Sequence, residues 1–244
     1  MSREKKPARF AFVGQALLGY ENRMKLALVT LLLAASLTRA DVVIVQRVDG
    51  GGLSGEMTVK VNGDKVRTDV SPQVSTITNA ATGDVTTLLH AQKSYIVITA
   101  AASKAMLAQM GKVMQEQGGG PSPSPASPKA TGRTDKINGY NAAEYTFSNG
   151  SMKATYWISA DFPNGKVVSD ALAKFRKGGL ADMTRAFAPD LSVLPGVPVK
   201  TEVEFNGQTI VTELESATEE AVDPTEYQVP ANYSEMKMPA APQQ

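Results

Sequence analysis

The 244-residue sequence contains no cysteine and a single histidine, His90. Without cysteine the chain forms no disulfide, no thiolate metal site, no cysteine nucleophile and no lipid-modified cysteine anchor. Zinc sites usually need three or four ligands, and a single histidine provides only one of them. We therefore expect no metal and no cofactor. A secreted eukaryotic domain of this size often carries disulfides, so their absence favours a bacterial envelope compartment.

Clusters of basic residues are also missing once the first 40 residues are set aside. Residues 1–40 hold seven of the 25 Lys and Arg but only two of the 24 Asp and Glu. The remaining chain has 18 basic and 22 acidic residues, a net charge of −4. Such a chain lacks the positive footprint that neutralises phosphates, so nucleic acid is excluded as a partner.

Recognisable catalytic motifs are a third absence. The chain has no G-x-S-x-G elbow, no P-loop and no dinucleotide glycine pattern. Every histidine-dependent triad would rest on His90, which falls in a predicted turn where side chains are typically exposed. The acidic run at 213–226 matches no calcium loop and is typical of a solvated strand face. The sequence thus predicts no catalytic residue and a protein that is not an enzyme.

The start of the chain carries an export signal. Arg23 and Lys25 flank Met24, and an apolar run at 26–37 leads to small residues that end at Ala40. The run is shorter than the roughly 20 residues that a membrane-spanning helix needs. We therefore predict a signal peptide within 1–40 and a secreted, periplasmic protein without a membrane anchor after cleavage. Residues 1–23 make a long lead-in, so Met24 is the expected start, and a start at Met1 stays open.

Alternation of apolar and polar residues between turn signals predicts a chain of short strands. Asn62-Gly63 and Asn138-Gly139 supply the positive φ angles that tight hairpin turns require. Six predicted strands precede a Pro/Ser/Gly linker at 118–130 and five follow it; they lie at 42–48, 57–61, 65–70, 74–79, 85–89, 95–99, 132–137, 142–147, 152–159, 199–205 and 208–214. Each half alone has little core, so we predict one domain at 41–234 and a disordered tail at 235–244.

Two segments have a helical period instead. The first, at 101–117, carries a methionine stripe, and the second spans about 167–187. Because an amphipathic helix must bury its apolar stripe, we predict an α+β, mainly β fold. Its core is a single curved antiparallel sheet, a half-barrel of about eleven strands, with the helices covering the concave face. The candidate ligand-binding residues form an apolar lid: Met106, Leu107, Met110, Val113, Met114, Leu172 and Phe175.

The methionine stripe admits three interpretations that the sequence leaves open. Methionine is a common gap-filler in cores, so packing against the sheet is the simplest. A deformable lid over an apolar cleft that receives an acyl chain is the second. Copper(I) binding by stacked thioethers is the third, and no nearby His or Cys supports it.

Several phrases along the chain resemble a family of secreted bacterial proteins known as a domain of unknown function. The phrases lie at 58–67, 136–140, 144–145, 156–158 and 227–233. The fold of that family is similar to the lipoprotein carriers LolA and LolB and the sensor RseB. The resemblance implies a LolA-like sheet and, at the level of the fold, lipid handling, and it brings no catalytic motif.

Two functions follow as expectations. The first is a periplasmic, non-enzymatic binding protein that holds a lipid or another apolar group between sheet and helices. The alternative is a structural or protein-interaction module of the envelope, with an envelope protein as its partner and no small-molecule ligand.

Overall fold

A computed structural model describes residues 40–116, 127–149, 152–176, 189–205 and 207–237. The predicted signal peptide, most of the predicted linker and the last part of the predicted tail lie outside these residues. The predicted helical region at 177–187 lies outside them as well.

Within the described residues the chain forms twelve strands and two helices. Single turns of 3₁₀ helix lie at Leu191–Val193 and Pro224–Tyr227. In chain order the elements are β1 Asp41–Gly50, β2 Leu53–Asn62, β3 Lys65–Ser71, β4 Val74–Asn79, β5 Val85–Leu89, β6 Ser94–Ile98, α1 Ala100–Glu116, β7 Lys129–Ile137, β8 Tyr140–Asn149, β9 Met152–Ser159, α2 Gly165–Phe175, β10 Val197–Phe205, β11 Gln208–Glu220 and β12 Ser234–Glu235.

All twelve strands belong to one open sheet, in the order β12-β6-β5-β4-β3-β2-β1-β11-β10-β9-β8-β7. The pairing of β1 with β11 joins the strands that precede the linker to those that follow it. The predicted mainly β fold with a single shared sheet is thereby confirmed. Four register irregularities, of the kind that bend strands, interrupt the ladders.

The sequence analysis missed the twelfth strand. Ser234 and Glu235 pair in parallel with Ser94 and Tyr95 at the edge of the sheet. Glu235, which we assigned to the disordered tail, is therefore part of the sheet. Every other strand pair is antiparallel.

Local sequence explains the tight connections. Asn138 and Gly139 join β7 to β8 with φ angles of 48° and 90°, as the Asn-Gly signal predicts. Gly50 ends β1 where the backbone of β11 comes very close. A Cβ atom at this position would lie 2.0 Å from the carbonyl oxygen of Thr209, so only glycine fits there.

The two helices differ in how they relate to the sheet. Val168, Ala171 and Leu172 of α2 lie in one buried cluster with residues of β1, β2, β3, β10 and β11. In α1, Ser103 is buried whereas Met106 is 41% exposed. Helix α2 therefore packs against the sheet, and the prediction that the two helices cover a concave face stays a prediction for both. Across the described part of the chain, neither helix is both long enough and apolar enough to cross a membrane.

Candidate functional site

One face of the six strands β1–β6 carries no charged side chain along two rows of directly opposed residues. Residues opposite one another in an antiparallel ladder point to the same side of the sheet. We call this side the uncharged face. Its first row is Val42, Val61, Val66, Thr78, Val85 and Ile98, and its second row is Ile44, Val59, Thr68, Thr76, Thr87 and Ile96.

Burial along these rows falls from β1 and β2 toward β6. Ile44 and Val59 are fully buried in the cluster that contains α2. Farther along the second row Thr76, Thr87 and Ile96 are only partly buried. The uncharged face therefore continues beyond the part that contacts α2, and along its second row the β4–β6 end is only partly buried.

Hydroxyl groups lie at this end of the face. Thr76 and Thr87 stand directly opposite each other. Ser94 opposes Leu89 on the same face, two residues before Ile96. The Ser94 hydroxyl oxygen is sealed from solvent and has no hydrogen-bond partner among the described residues. Sequence patterns gave no sign of this grouping, because it depends on the register between strands.

The predicted lid residues fall into three groups. Leu172 is buried and Phe175 partly buried, both in the cluster under α2. Met106 is exposed and Leu107 partly buried on α1. Met110, Val113 and Met114 belong to α1, but their side chains lie outside what the structure describes. The structure thus brings Leu172 and Phe175 to the sheet, and the methionine lid stays a prediction.

The opposite side of the same strands, the charged face, holds a polar network. Lys60 and Arg67 are directly opposed on β2 and β3, and Asp69 stands opposite Ser75 on β3 and β4. The Arg67 Nε donates to Asp69 Oδ1 at 2.7 Å, and Lys60 Nζ lies 3.5 Å from Asp69 Oδ2. Lys60, Arg67 and Asp69 therefore each have an opposite charge beside them.

Ser75 links this network to His90. Its hydroxyl donates to Asp69 Oδ1 at 2.6 Å and accepts from Arg67 Nη2 at 3.2 Å. Since the single serine proton is used, His90 Nε2, 2.7 Å away, donates to the Ser75 oxygen. The other ring nitrogen, Nδ1, lies 2.7 Å from the Tyr233 hydroxyl, which donates to it in the neutral ring.

His90 lies in a turn, as predicted, but the prediction that its side chain is exposed is wrong. Its ring is partly buried, and both of its nitrogens have partners. Ser75 is only 1% exposed, and Asp69 bonds to the serine instead of the histidine. A serine nucleophile needs an accessible hydroxyl with the histidine as its base, so this arrangement fits a structural network and not a catalytic triad.

The C-terminal residues 223–236, which we call the strap, run along the charged face. Glu226 pairs with Lys60, and its carbonyl oxygen accepts from Arg67 Nη1 at 2.9 Å. The Tyr227 hydroxyl donates to Asp41 Oδ2 at 2.9 Å, and Tyr233 reaches His90. The strap thus contacts both ends of the β1–β6 region and ends as β12.

Two pKa shifts report the electrostatics of this face. Burial alone raises the pKa of Asp69, but the hydrogen bond from Ser75 and the charge and hydrogen bond of Arg67 outweigh it, so the pKa lies below its usual value of 3.8. Burial, and then the hydrogen bond to Asp41, raises the pKa of Tyr227. Both groups are therefore held in their ordinary charge states near neutral pH.

Comparison with known proteins identifies a family. The family described as "Domain of unknown function (DUF4412)" matches residues 44–233. The match covers most of the chain, and the predicted membership of a family of unknown function is confirmed. No curated protein matches the chain.

Solved structures offer only distant likenesses. PNGF-II has 16% sequence identity over 81% of this chain and a TM-score of 0.38, and the chain spans only 31% of its length. Lipoprotein LppX of Mycobacterium tuberculosis has 13% identity, coverage of 83% of this chain and 98% of LppX, and a TM-score of 0.39. A DUF1329 family protein from Desulfovibrio piger has 12% identity, coverage of 86% and 96%, and a TM-score of 0.30. With TM-scores this low, none of these likenesses carries an argument about function.

Proposed function

The chain belongs to the DUF4412 family of unknown function, and we propose that it is a non-enzymatic binding protein that holds an apolar group, such as an acyl chain, on the uncharged face. The proposed compartment is the periplasm, after cleavage of the predicted signal peptide. The lid residues of α1, Met106 to Met114, are proposed to close over the ligand.

The observation that carries this proposal is the change in burial along the second row, which carries no charge from β1 to β6. In the second row, Ile44 and Ile96 are the same residue type on the same face, yet the first is fully buried and the second is not. Ile96 thus continues the uncharged row where the sheet is only partly buried. Ligand pockets are typically apolar with a few polar groups, as this end of the sheet is.

An acyl chain suits this surface because its binding needs no charged partner. Burying each CH₂ group contributes about 0.8 kcal/mol, so a chain lying along the row gains affinity from length alone. The flexible thioethers on α1 suit a ligand of variable shape. Neither row offers a cation for a phosphate or carboxylate.

A second candidate, a protein-interaction module of the envelope, is favoured by the β6 edge. There β12 pairs with Ser94 and Tyr95 only. No strand pairs with Ile96, Val97 or Ile98 on that side within the described residues, and an extended segment of another protein would add to such an edge. The β7 edge differs, because Lys129, Arg133, Asp135 and Lys136 protect it with charge.

Two neighbouring residues of β6 provide a matched test. Ile96 lies on the uncharged face, whereas Val97 lies on the opposite face and is 37% exposed. We expect Ile96→Lys to abolish binding of the uncharged fluorescent dye Nile red, because the ammonium group would be desolvated by the ligand. The control Val97→Lys should bind the dye as the wild type does.

Native mass spectrometry of the wild-type protein, purified without detergent, gives an independent readout. We expect an additional mass from co-purified lipid. A clean apo mass together with no Nile red binding would exclude the binding function. If no lipid is found and cross-linking captures a stoichiometric partner protein at β6, the interaction module is favoured.

A further inference from the structure

Asp41, the first residue of β1, has a buried carboxylate that accepts hydrogen bonds from two neutral side chains. The residue is only 2% exposed. Its Oδ1 accepts from Asn62 Nδ2 at 2.6 Å, and its Oδ2 accepts from the Tyr227 hydroxyl at 2.9 Å. No Lys or Arg among the described residues forms an ion pair with it. A buried charge is costly unless an opposite charge compensates it, so this carboxylate needs a cation.

The cations of the charged face do not supply that charge. Lys60 and Arg67 each pair with Asp69 and with Glu226 of the strap. The residue that opposes Asp41 in the β1–β11 ladder is acidic as well, so it adds negative charge beside the carboxylate. The compensating charge must therefore come from another group.

Cleavage of the chain directly before Asp41 creates such a group. Ala40 is exposed and lies outside the strand, whereas Asp41 is buried within it, and the compact unit that contains β1 begins at Ala40. Thr38 and Ala40 have the small size and the spacing that signal peptidases prefer. Hydrolysis of the Ala40–Asp41 peptide bond consumes one water and leaves a carboxylate on Ala40 and an α-amino group on Asp41. An α-amino group is largely protonated at pH 7.

We propose that the signal peptide is removed between Ala40 and Asp41, and that the new α-ammonium group is the counter-charge of the buried Asp41 carboxylate. Only Cα and Cβ lie between the nitrogen and the carboxylate carbon, so the two charges stay close in every rotamer. The same carboxylate accepts from Tyr227, so the ammonium group also stabilises the contact between β1 and the strap. This inference rests on the predicted signal peptide and does not depend on ligand binding.

The precursor and the processed chain differ at this one nitrogen. In the precursor it belongs to an uncharged amide, and the Asp41 carboxylate is buried without a cation. In the processed chain it carries the compensating charge. Removal of the signal peptide thus stabilises the folded sheet and the strap as well as releasing the protein.

The full-length gene expressed in a bacterial host provides the exported protein for the test. We expect N-terminal sequencing to begin at Asp41, and any other first residue would overturn the proposal. Acetic anhydride at pH 6 then blocks the α-amino group in preference to the lysines, because α-amino groups have the lower pKa. Mass spectrometry of the N-terminal peptide identifies the singly acetylated product.

Acetylation should increase the unfolding equilibrium constant in urea about fivefold, because it removes the charge that compensates the carboxylate. Hydrogen exchange should rise at the amides of Glu226 and Gln228, which bond to carbonyl oxygens within the strap. An acetylated wild-type protein as stable as the unmodified one would overturn the proposal.

Two variants identify the partner of the ammonium group. Asp41→Asn removes the buried carboxylate, so acetylation should no longer change its stability. Glu220→Gln changes the exposed acidic residue opposite Asp41 and should respond to acetylation as the wild type does. A full response in Asp41→Asn, or none in Glu220→Gln, would assign the ammonium group to another partner and overturn the proposal. If Asp41→Asn does not fold, the response of Glu220→Gln decides.

Discussion

The two faces of β1–β6 are built from alternate residues of the same strands, yet they differ in chemistry and in cover. The uncharged face holds Val, Ile and Thr in rows and packs against α2 over part of its length. The charged face holds Lys60, Arg67 and Asp69 and carries the strap. One face leaves apolar surface partly exposed, while on the other Lys60, Arg67 and Asp69 have partners of opposite charge.

The difference indicates a division of labour between the two sides of one sheet. Polar networks in a low-dielectric setting fix geometry when every member has a partner, as the members of this network do. Apolar contacts are less directional and accept ligands of different shape. The charged side thus fixes geometry, and under the proposed function the uncharged side adapts to its ligand.

The largest expected effect on the free energy of unfolding comes from a substitution at the buried end of the second row. Ile44→Ala should lower the free energy of unfolding by about 3 kcal/mol, because it leaves a cavity under α2. Ile96→Ala, on the same row at the accessible end, should lower it by about 1 kcal/mol. Urea unfolding followed by circular dichroism measures both values. Equal losses would show that the accessible end is ordinary core.

A smaller loss is expected on the charged face. Asp69→Asn should lower the free energy of unfolding by about 2 kcal/mol, because Arg67 and Lys60 lose a charged hydrogen-bond partner. Asp170→Asn, which removes an exposed ion pair with Lys166, is the control and should have little effect. The same urea titration applies. If Asp69→Asn has the same free energy of unfolding as the wild type, Glu226 alone balances the charges of Arg67 and Lys60.

The pH dependence of stability sharpens the same point. Asp69 has a lower pKa in the folded chain than the usual 3.8, so its charged form contributes stability that is present above pH 3.8 and is lost as the pH falls through the folded-state value. Below pH 3.8 the wild-type unfolding midpoint in urea should therefore fall more steeply than that of Asp69→Asn. Parallel curves for the two proteins would contradict this assignment.

The smallest effect is expected where the strap ends. Tyr233→Phe removes the hydroxyl that donates to His90 and should lower stability by about 1 kcal/mol. Hydrogen exchange should rise at Ser234 and Met236, whose amides bond to the carbonyl oxygens of Lys93 and Tyr95. Tyr227→Phe is the matched control, because it loosens the strap at Asp41 instead. If hydrogen exchange at Ser234 and Met236 rises in Tyr227→Phe and not in Tyr233→Phe, the bond between Tyr233 and His90 does not hold β12 in place.

Most of the sheet could be predicted because its signals are local. Alternation and Asn-Gly turns identified eleven strands, and the small core of each half favoured one shared sheet. The two-residue strand β12 has no such signal. It is polar, and long-range bonds such as that of Tyr233 to His90 position it.

The candidate site was harder to predict from the sequence, because strand register and long-range contacts bring its residues together. Helical periodicity identified Leu172 and Phe175, which do pack on the sheet. The grouping of Thr76, Thr87 and Ser94 arises only from the register of three strands. His90 was misjudged because its partners, Ser75 and Tyr233, are remote in the sequence.

The β1–β11 ladder has a consequence for how the chain reaches its native state. Asp41 pairs with Glu220, so two strands from opposite ends of the described chain meet in the middle of the sheet. Contacts this distant in sequence slow folding, because the intervening chain loses entropy before the strand pairing contributes favourable free energy. Until β11 has been synthesised, the apolar β1 edge has no partner and is open to aggregation. The strand β1 therefore meets this partner only after nearly all of the described chain has been synthesised.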